Sequence, residues 1–374
     1  MLLHIITRSA WETAVSHPPY HPPSLDSEGF IHCSTVAQVL APANERYQGQ
    51  HDLLLLCIDP EKVAPPLVYE DCYESGQKFP HIYGPLDPAA VVSVVDFPPN
   101  PDGSFSLPAV LSLWRDYPIL EFDGAQTAVL EPHILIKPLD GIPQKCVLCF
   151  FQDVIDTLKA EGRLRHIYSL TSEIGPNPVY EMDVDGERIV LAHPGVGAPL
   201  AAFFLDELIA LGCRQFIACG GAGVIDERVG LGHVVIPTAA IRDEGSSYHY
   251  LPPSREVKGS ETAVCVLQQT LARHHVPHDL GKTWTTDGIY RETAHKVALR
   301  KAEGCLTVEM ETATFFAVAQ FRNVTFGQLL YGGDDLTGDE WDERGWDKLT
   351  STREKLLQLA IEACLALPTS ESLN

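Results

Sequence analysis

The 374-residue sequence contains no long hydrophobic run. Its longest aliphatic stretch extends from Leu53 to Ile58, with only Cys57 interrupting it, and is far too short to cross a bilayer. The first residues also lack a basic region followed by a long apolar one, so we expect no signal peptide. Together these absences predict a cytoplasmic protein that has no membrane partner.

Positive charge is scarce as well. The chain has 27 lysines and arginines against 50 aspartates and glutamates, which gives a formal net charge of −23. Such a protein repels polyanions, so nucleic acids and anionic membrane surfaces are not expected partners. A small anionic ligand remains compatible with this charge, because a pocket can reverse the field locally.

A second CxxC motif, which would complete a zinc set with Cys146 and Cys149, is missing. We therefore predict no metal site and no resident cofactor. The single CxxC, Cys146 and Cys149, favours two buried core thiols at the start of a helix. A redox pair or half a metal site is the alternative. Many of the ten cysteines lie inside apolar runs, as expected for reduced thiols in the cytoplasm.

Proline and glycine divide the chain. The densest cluster of such residues extends from Phe97 to Gly103. It predicts a small α+β domain over residues 1–107, a linker over residues 108–142 and a larger domain over residues 143–374. The larger domain alternates strand-like and helix-like segments and has a hairpin signal at Asp185 and Gly186. This alternation predicts an α/β fold with a mostly parallel sheet covered by helices, whose ligands bind at the carboxyl ends of strands.

The most informative stretch extends from Val308 to Phe316, where Glu309 and Glu311 flank Met310. Buried carboxylates cost free energy unless a polar group pairs with them. The vicinal hydroxyls of a sugar can donate to both carboxylates, while the methionine lies against the apolar face of the ring. The motif therefore predicts a sugar site.

Other candidate residues follow predicted strands of the same domain. They are Gly195 and Gly197, then Gly220, Gly221 and Gly223, and finally Asp334. Glycines let the backbone approach an anion or a sugar closely, although each cluster on its own is also typical of a tight turn. Together with the Glu309–Glu311 motif they make four sites at strand ends, which favours a common ligand site.

Residues 145–348 resemble the nucleoside phosphorylase superfamily, which includes purine nucleoside phosphorylase, uridine phosphorylase and the methylthioadenosine nucleosidases. The resemblance rests on the glycines from Gly220 to Gly223, on the runs from Arg242 to Tyr248 and from Thr286 to Tyr290, and on the run from Val308 to Glu311. It implies a three-layer α/β/α domain with a mixed central sheet, a ribose site, and homo-oligomers (dimers or hexamers) in which a neighbour completes each pocket.

The resemblance also implies roles for individual residues. Glu311 would hold the ribose hydroxyls, and Asp334 would protonate or hydrogen-bond the leaving base, with Asp335 as a competitor for that role. Glu311 and Asp334 are therefore predicted to be catalytic. The predicted substrate-binding residues are Glu309, Met310, Glu311, Arg242, Gly197, Gly220, Gly221 and Gly223.

One departure from the family pattern concerns the attacking group. Phosphorylases place an arginine two residues before the first glycine of this cluster to bind phosphate, and here that position is Ala218. We expect glycosidic-bond cleavage of a nucleoside with inorganic phosphate as co-substrate. Hydrolysis by water is the close rival, and a nucleoside-binding module without turnover is a third reading. The run at Arg242 points to uridine and Asp334 points to purines, so the base stays open.

The acidic loop from Asp334 to Asp347 contains Trp341 and Trp346. A solvated surface loop is one interpretation. A lid in which one tryptophan stacks on the base is the other.

Residues 1–97 resemble a small, poorly characterised bacterial domain family. The resemblance rests on the runs from Gly29 to Ser34 and from His81 to Leu86. The fold of that family has been related to ADP-ribosyltransferases, which would place His32 and Ser34 near a nicotinamide-dinucleotide-like pocket. A structural histidine is the alternative for His32. The fused arrangement also suggests a two-step salvage enzyme.

Overall fold

A computed structural model describes residues 1–72, 76–338 and 340–368 of the chain. It divides into two compact units, Met1–Glu121 and Phe122–Asn374. The segment 108–142, predicted as a linker, is shared between them. Leu111 packs into a core cluster of the first unit, and Ile136 packs into a core cluster of the second.

The first unit contains two three-stranded sheets, with strand orders β1-β3-β6 and β2-β5-β4. Alternating apolar residues of β1 and β3 bury their side chains in clusters on opposite faces of the first sheet. The strands are β1 (Leu2–Thr7), β2 (Ile31–His32), β3 (Leu53–Ile58), β4 (Leu67–Glu70), β5 (Phe79–Ile82) and β6 (Val91–Asp96), and the helices are α1 (Arg8–Ser16), α2 (Pro23–Ser27), α3 (Leu40–Arg46) and α4 (Ala109–Ser112).

The second unit contains a large mixed sheet and most of the helical residues. Its strands are β7 (Lys145–Cys149), β8 (Arg165–Ser172), β9 (Gly175–Val184), β10 (Glu187–Ala192), β11 (Gln215–Val224), β12 (Val234–Asp243), β13 (Glu256–Lys258), β14 (His278–Thr286), β15 (Cys305–Glu309) and β16 (Thr325–Asp335). Its helices are α5 (Pro132–Leu135), α6 (Gln152–Ala160), α7 (Ala198–Leu211), α8 (Glu261–Arg273), α9 (Ala294–Ala302), α10 (Thr312–Phe321) and α11 (Thr350–Ala366).

The sheet of the second unit closes on itself. Its path runs β13-β12-β14-β15-β11-β7-β10-β9-β8, and β16 pairs with both β11 and β12. Strands β7, β11 and β16 are parallel to one another, whereas β15 meets the end of β11 in the antiparallel direction. The strands β12, β14, β15, β11 and β16 therefore form a ring, and several strand ends meet at one edge.

Helices cover both faces of this sheet. Apolar residues of α6, α8 and α11 form one core cluster with the strands, and those of α7 and α10 form a second. This three-layer α/β arrangement confirms the predicted fold class. Among the described residues, none of the helices combines the length and the apolar character needed to span a membrane.

Local sequence explains several boundaries. Asp185 and Gly186 have positive φ values of 53° and 89°, and they connect β9 to β10 as the hairpin signal predicts. Helix α7 has Pro199 in its first turn and stops at Gly212, whose φ of 131° favours glycine.

The CxxC residues lie in strand β7 and not at a helix start. Because side chains alternate along a strand, Cys146 and Cys149 face opposite sides of the sheet and belong to different core clusters. Both are buried free thiols. The core-thiol interpretation is therefore the one the structure supports, although the predicted helix is wrong.

Candidate active site

Parallel strands of the second unit end at a cleft of about 650 Å³. The pairing of β7 with β11 stops at Cys149 and Cys219, so β11 continues beyond its neighbour and borders the cleft with its glycines. Other lining residues come from the start of α6, the β15–α10 junction, the end of β16 and the first turn of α11. The site comprises Phe150, Phe151, Gln152, Asp153, Val196, Gly220, Gly221, Ala222, Gly223, Ile289, Glu292, Val308, Glu309, Met310, Glu311, Gln328, Tyr331, Gly333, Asp334, Trp346, Asp347 and Arg353.

Glu309 ends β15 and stabilises the start of α10. Its Oε2 accepts hydrogen bonds from the backbone N–H groups of Glu311 and Thr312, both at 2.7 Å, and its Oε1 accepts from the hydroxyl of Thr285 at 2.6 Å. These donors are among the amide groups that a helix start leaves without an intrahelical partner. Burial raises the pKa of Glu309, and the three hydrogen bonds oppose that rise. Its role within the chain is therefore partly structural.

Glu311 is the second carboxylate of the motif and is buried, with 5% of its surface exposed. The N–H of Gly197 donates to its Oε1 at 2.5 Å, so the loop before α7 positions it. Burial, followed by the nearby charge of Glu309, raises the pKa of Glu311 to about 8. This shift favours the protonated form of Glu311 at neutral pH. It lines the cleft next to Met310, as a sugar site requires.

The glycines of β11 have a packing function. A Cβ at Gly220 would lie 2.9 Å from the ring of Phe150, and one at Gly221 would lie 3.0 Å from the ring of Tyr331. Neither glycine has a positive φ, so a turn is not the reason for them. Gly223 is equally tight, since its Cβ would approach Val308 to 2.9 Å. Without Cβ atoms, this strand end lets two aromatic rings and the backbone share the cleft wall.

Asp334 and Asp335 have different surroundings. Asp334 lines the cleft, and its Oδ2 accepts a hydrogen bond from the indole N–H of Trp341 at 2.7 Å. Asp335 does not line the cleft. Its carboxylate pairs with Arg344 and accepts from the N–H of Thr337 at 2.8 Å. Of the two, only Asp334 lines the cleft.

Glu292 is a further cleft carboxylate, which no sequence motif indicated. Burial, followed by the charge of Asp334, raises the pKa of Glu292 to about 7. A carboxyl group with such a pKa can hold a proton at neutral pH and release it during a reaction. Its neighbour Arg291 is exposed and does not line the cleft.

Acidic side chains outnumber basic ones in the cleft. Among the described lining residues, six acids stand against one cation, Arg353. The guanidinium of Arg353 is already paired with Asp153 at 3.2 Å and lies near the rings of Phe151 and Trp346. Ala218, at the position where an arginine is expected, is fully buried within β11.

Arg242 lies outside this cleft and stabilises a loop. It is buried, with 4% of its surface exposed, and its guanidinium donates to the hydroxyls of Ser247 and Ser254 and to the carbonyls of Leu251 and Pro252. Those bonds fold the segment after β12. The structure therefore does not bring Arg242 to the other predicted ligand-binding residues, because its donors are used within its own loop.

In the first unit the two predicted site residues differ in exposure. His32 is partly exposed, and its Nε2 lies 3.1 Å from a carboxylate oxygen of Glu28. Ser34 is buried, with 6% of its surface exposed, and its backbone pairs with that of Leu3. In a regular strand these two residues, two apart, would share one face, but β2 ends at His32. The structure therefore leaves His32 partly exposed and buries Ser34, and does not present them together at one cleft.

Comparison with known proteins agrees with this geometry. A family model described as the phosphorylase superfamily matches residues 146–366, which is more than half of the chain. The chain belongs to the phosphorylase superfamily. The match confirms the family resemblance predicted for the second domain. Residues 5–94 match a second model, described as a protein of unknown function (DUF952), and the ADP-ribosyltransferase-like fold of this segment stays a prediction.

Several members of the phosphorylase superfamily are similar to this chain. Guanosine phosphorylase of Halorubrum lacusprofundi is 25% identical over 218 residues, covering 55% of this chain and 90% of that protein. Uridine phosphorylase of Treponema pallidum is 30% identical over 190 residues, covering 48% of this chain and 72% of that protein. A crystal structure of AMP nucleosidase from Bacteroides thetaiotaomicron aligns over 62% of this chain and 91% of that chain, at 22% identity and a TM-score of 0.49.

Proposed function

We propose that the second unit cleaves the N-glycosidic bond of a nucleoside. The observation that carries the proposal is the joint placement of Glu311, Met310 and Asp334 in one cleft. The first two suit the hydroxyls and apolar face of a ribose, and Asp334 lies where an acid could meet the leaving base. The relatives named guanosine phosphorylase and uridine phosphorylase also support a nucleoside substrate.

At the ribose end, the carboxylate of Glu311 would stabilise positive charge that develops on the sugar. Breaking the glycosidic bond leaves positive charge on the sugar, and a buried carboxylate stabilises that charge more in the transition state than in the ground state. Hydroxyl groups that donate to Glu311 would also favour its ionised form and lower its pKa from about 8. Substrate binding is then coupled to proton release.

At the base end, a proton must reach the departing base. Glu292, whose pKa is about 7, carries a proton at neutral pH for part of the time, and the charge of Asp334 helps to retain it. We assign Asp334 as the group that contacts the base. Glu292 is its proton reservoir. Trp341 positions Asp334 through its indole N–H.

The acceptor in this proposal is water. A phosphate anion would enter a cleft with six acids and one cation, and that cation already pairs with Asp153. Water carries no charge and avoids this repulsion. Phosphorolysis is the second candidate, and the names of the relatives favour it. In that case backbone N–H groups or a neighbouring subunit would donate hydrogen bonds to the phosphate.

The acceptor can be identified by incubating the protein with a panel of purine and pyrimidine nucleosides, with and without inorganic phosphate. We expect base release at an undiminished rate without phosphate, with free ribose as the sugar product. Strict dependence on phosphate, with ribose 1-phosphate as the product, would establish phosphorolysis. Saturable nucleoside binding without any product over long incubation would instead indicate a binding module.

Trp346 offers a test of the lid hypothesis. It lines the cleft, whereas Trp341 contacts Asp334, and Asp339 of the same loop lies outside the described residues. Stacking on a base contributes about 1–3 kcal/mol. We therefore expect Trp346→Ala to raise KM about tenfold or more in steady-state assays. An unchanged KM would show that Trp346 does not touch the base, and Tyr117→Ala, exposed in the first unit, is the matched control.

A further inference from the structure

The first unit contains a second group of chemically active side chains. Glu70, Cys72 and His81 each offer one donor atom, and these three atoms lie within 4.8 Å of one another. A thiol, an imidazole and a carboxylate are the donor types that bind zinc and related divalent transition metals. The sequence predicted no metal site, because these residues follow no known ligand spacing.

The local fold brings the three side chains together. On the β4–β5 pair, Val68 lies opposite His81, so Glu70, two residues further on, shares the face of His81. Cys72 continues the same alternation just beyond the end of β4. His32 lies directly opposite His81 on β2, so the group borders the candidate histidine of this unit.

The distances fit a shared ion. Cys72 Sγ lies 3.6 Å from His81 Nδ1, and Glu70 Oε1 lies 3.2 Å from the same nitrogen. For tetrahedral zinc, with bonds of about 2.3 Å to sulfur and about 2.0 Å to nitrogen and oxygen, the corresponding ligand separations are about 3.5 Å and about 3.3 Å. Both separations from His81 Nδ1 thus match those of zinc ligands, and the donor atoms of Cys72 and Glu70 lie within 4.8 Å of each other.

A Cys–His–Glu proton relay fits less well. Such a relay needs the thiol at one ring nitrogen and the carboxylate at the other. Here both groups approach Nδ1, which can accept the proton of the thiol or donate to the carboxylate, but cannot do both. A cation at the meeting point satisfies all three atoms at once.

Neighbouring residues hold two of the ligands in place. The hydroxyl of Tyr83 donates to Glu70 Oε1 at 2.5 Å. The ring of Phe30 stacks on that of His81, with 4.1 Å between their centroids, and His81 itself is 2% exposed. Supporting contacts of this kind orient metal ligands and raise metal affinity.

We propose that Glu70, Cys72 and His81 form a binding site for a divalent transition metal, with zinc as the best match to a mixed sulfur, nitrogen and oxygen set. Three protein ligands leave a fourth position for water or a bound ligand, as in catalytic zinc sites. All three residues belong to the first unit.

Cobalt substitution tests the site in the full-length, untagged protein. We expect one Co²⁺ per chain, with intense visible bands typical of tetrahedral coordination and a near-ultraviolet thiolate-to-metal band, and we expect zinc to displace it. Cys72→Ser should remove the thiolate band and weaken the affinity at least about tenfold. Cys265→Ser is the matched control, because Cys72 and Cys265 are the two exposed cysteines of the chain.

Two results would contradict the proposed metal site. Absence of a thiolate band in the wild-type protein, or its persistence in Cys72→Ser, would overturn the proposal. Glu70→Gln provides a check that does not disturb the buried ring of His81, since glutamine can still accept from Tyr83. It should retain the thiolate band and weaken cobalt binding, and unchanged affinity would remove Glu70 from the ligand set.

Discussion

Asp334→Asn is expected to lower the rate of base release about 100- to 10,000-fold, the range that a positioned general acid contributes. Asparagine keeps the size of the side chain and can still accept from the indole N–H of Trp341, so the cleft should retain its shape. What disappears is the ability to take up and transfer a proton. The measurement is single-turnover release of base from the best nucleoside in the panel.

Asp335→Asn is the matched control for this variant. Asp335 is the next residue, but it pairs with Arg344 and does not line the cleft. We expect it to retain most of the rate and to lose some stability. Equal losses in the two variants would mean that the loop, and not the proton, is responsible for the effect of Asp334→Asn.

The pH profile adds a second readout. The charge of Asp334 is one cause of the raised pKa of Glu292, after burial. Removing that charge should lower the pKa of Glu292 below about 7 and shift the alkaline limit of the remaining activity to lower pH. An unchanged alkaline limit of activity would show that Glu292 does not supply the proton at the base site.

Glu311→Gln should affect activity and stability in opposite directions. The carboxylate that would balance positive charge on the ribose is lost, and we expect a decrease in kcat/KM of about 100- to 1,000-fold, as when a preorganised electrostatic partner is removed. Glutamine can still accept the hydrogen bond from Gly197. Loss of turnover with unchanged nucleoside affinity would point to the transition state.

The stability effect depends on pH. The pKa of Glu311 rises from its ordinary value of 4.5 to about 8 on folding, so the folded state favours the protonated form. The wild-type protein therefore loses stability as pH rises from about 4.5, and the loss is complete above about 8. Glu311→Gln should raise the unfolding temperature at pH 8.5 by a few degrees and change it little at pH 4.5.

Glu207→Gln separates the two effects. Glu207 is buried in the second unit, burial raises its pKa, and it lies outside the nucleoside cleft. We expect this variant to gain stability at alkaline pH and to keep full activity. Thermal unfolding of both variants at the two pH values provides the comparison, and a Glu311→Gln protein that is no more stable than wild type at pH 8.5 would contradict the raised pKa.

Several parts of the site were predictable from sequence because they depend on local pattern. Glu309, Met310 and Glu311 occupy the β15–α10 junction, and Gly220 to Gly223 end β11 at the cleft, as the alternation of strands and helices indicated. The same reasoning failed for Arg242. A motif shows that a residue has a constrained environment, but it cannot distinguish a ligand from the buried carbonyls of a neighbouring loop.

Glu292 and Arg353 were not predicted, since neither belongs to a recognisable pattern. Glu292 follows an exposed arginine, and Arg353 lies in the first turn of α11, far along the chain from the glycines of β11. Their importance comes from charges and rings contributed by other elements. Such proximity is a property of the closed sheet and is not encoded at any single spacing.

The sequence by itself determined the class of the molecule, an α/β domain of the phosphorylase superfamily, and the position of a Glu-Met-Glu motif at a strand end. The alternation of strand-like and helix-like segments indicated the fold class, and the resemblance of motifs such as Gly220–Gly223 and Val308–Glu311 indicated the superfamily. Only the tertiary structure decided between Asp334 and Asp335, removed Arg242 from the cleft and brought Cys72 to His81. Those outcomes depend on which hydrogen-bond partners reach each side chain after folding, and that is fixed by contacts between segments distant in the chain.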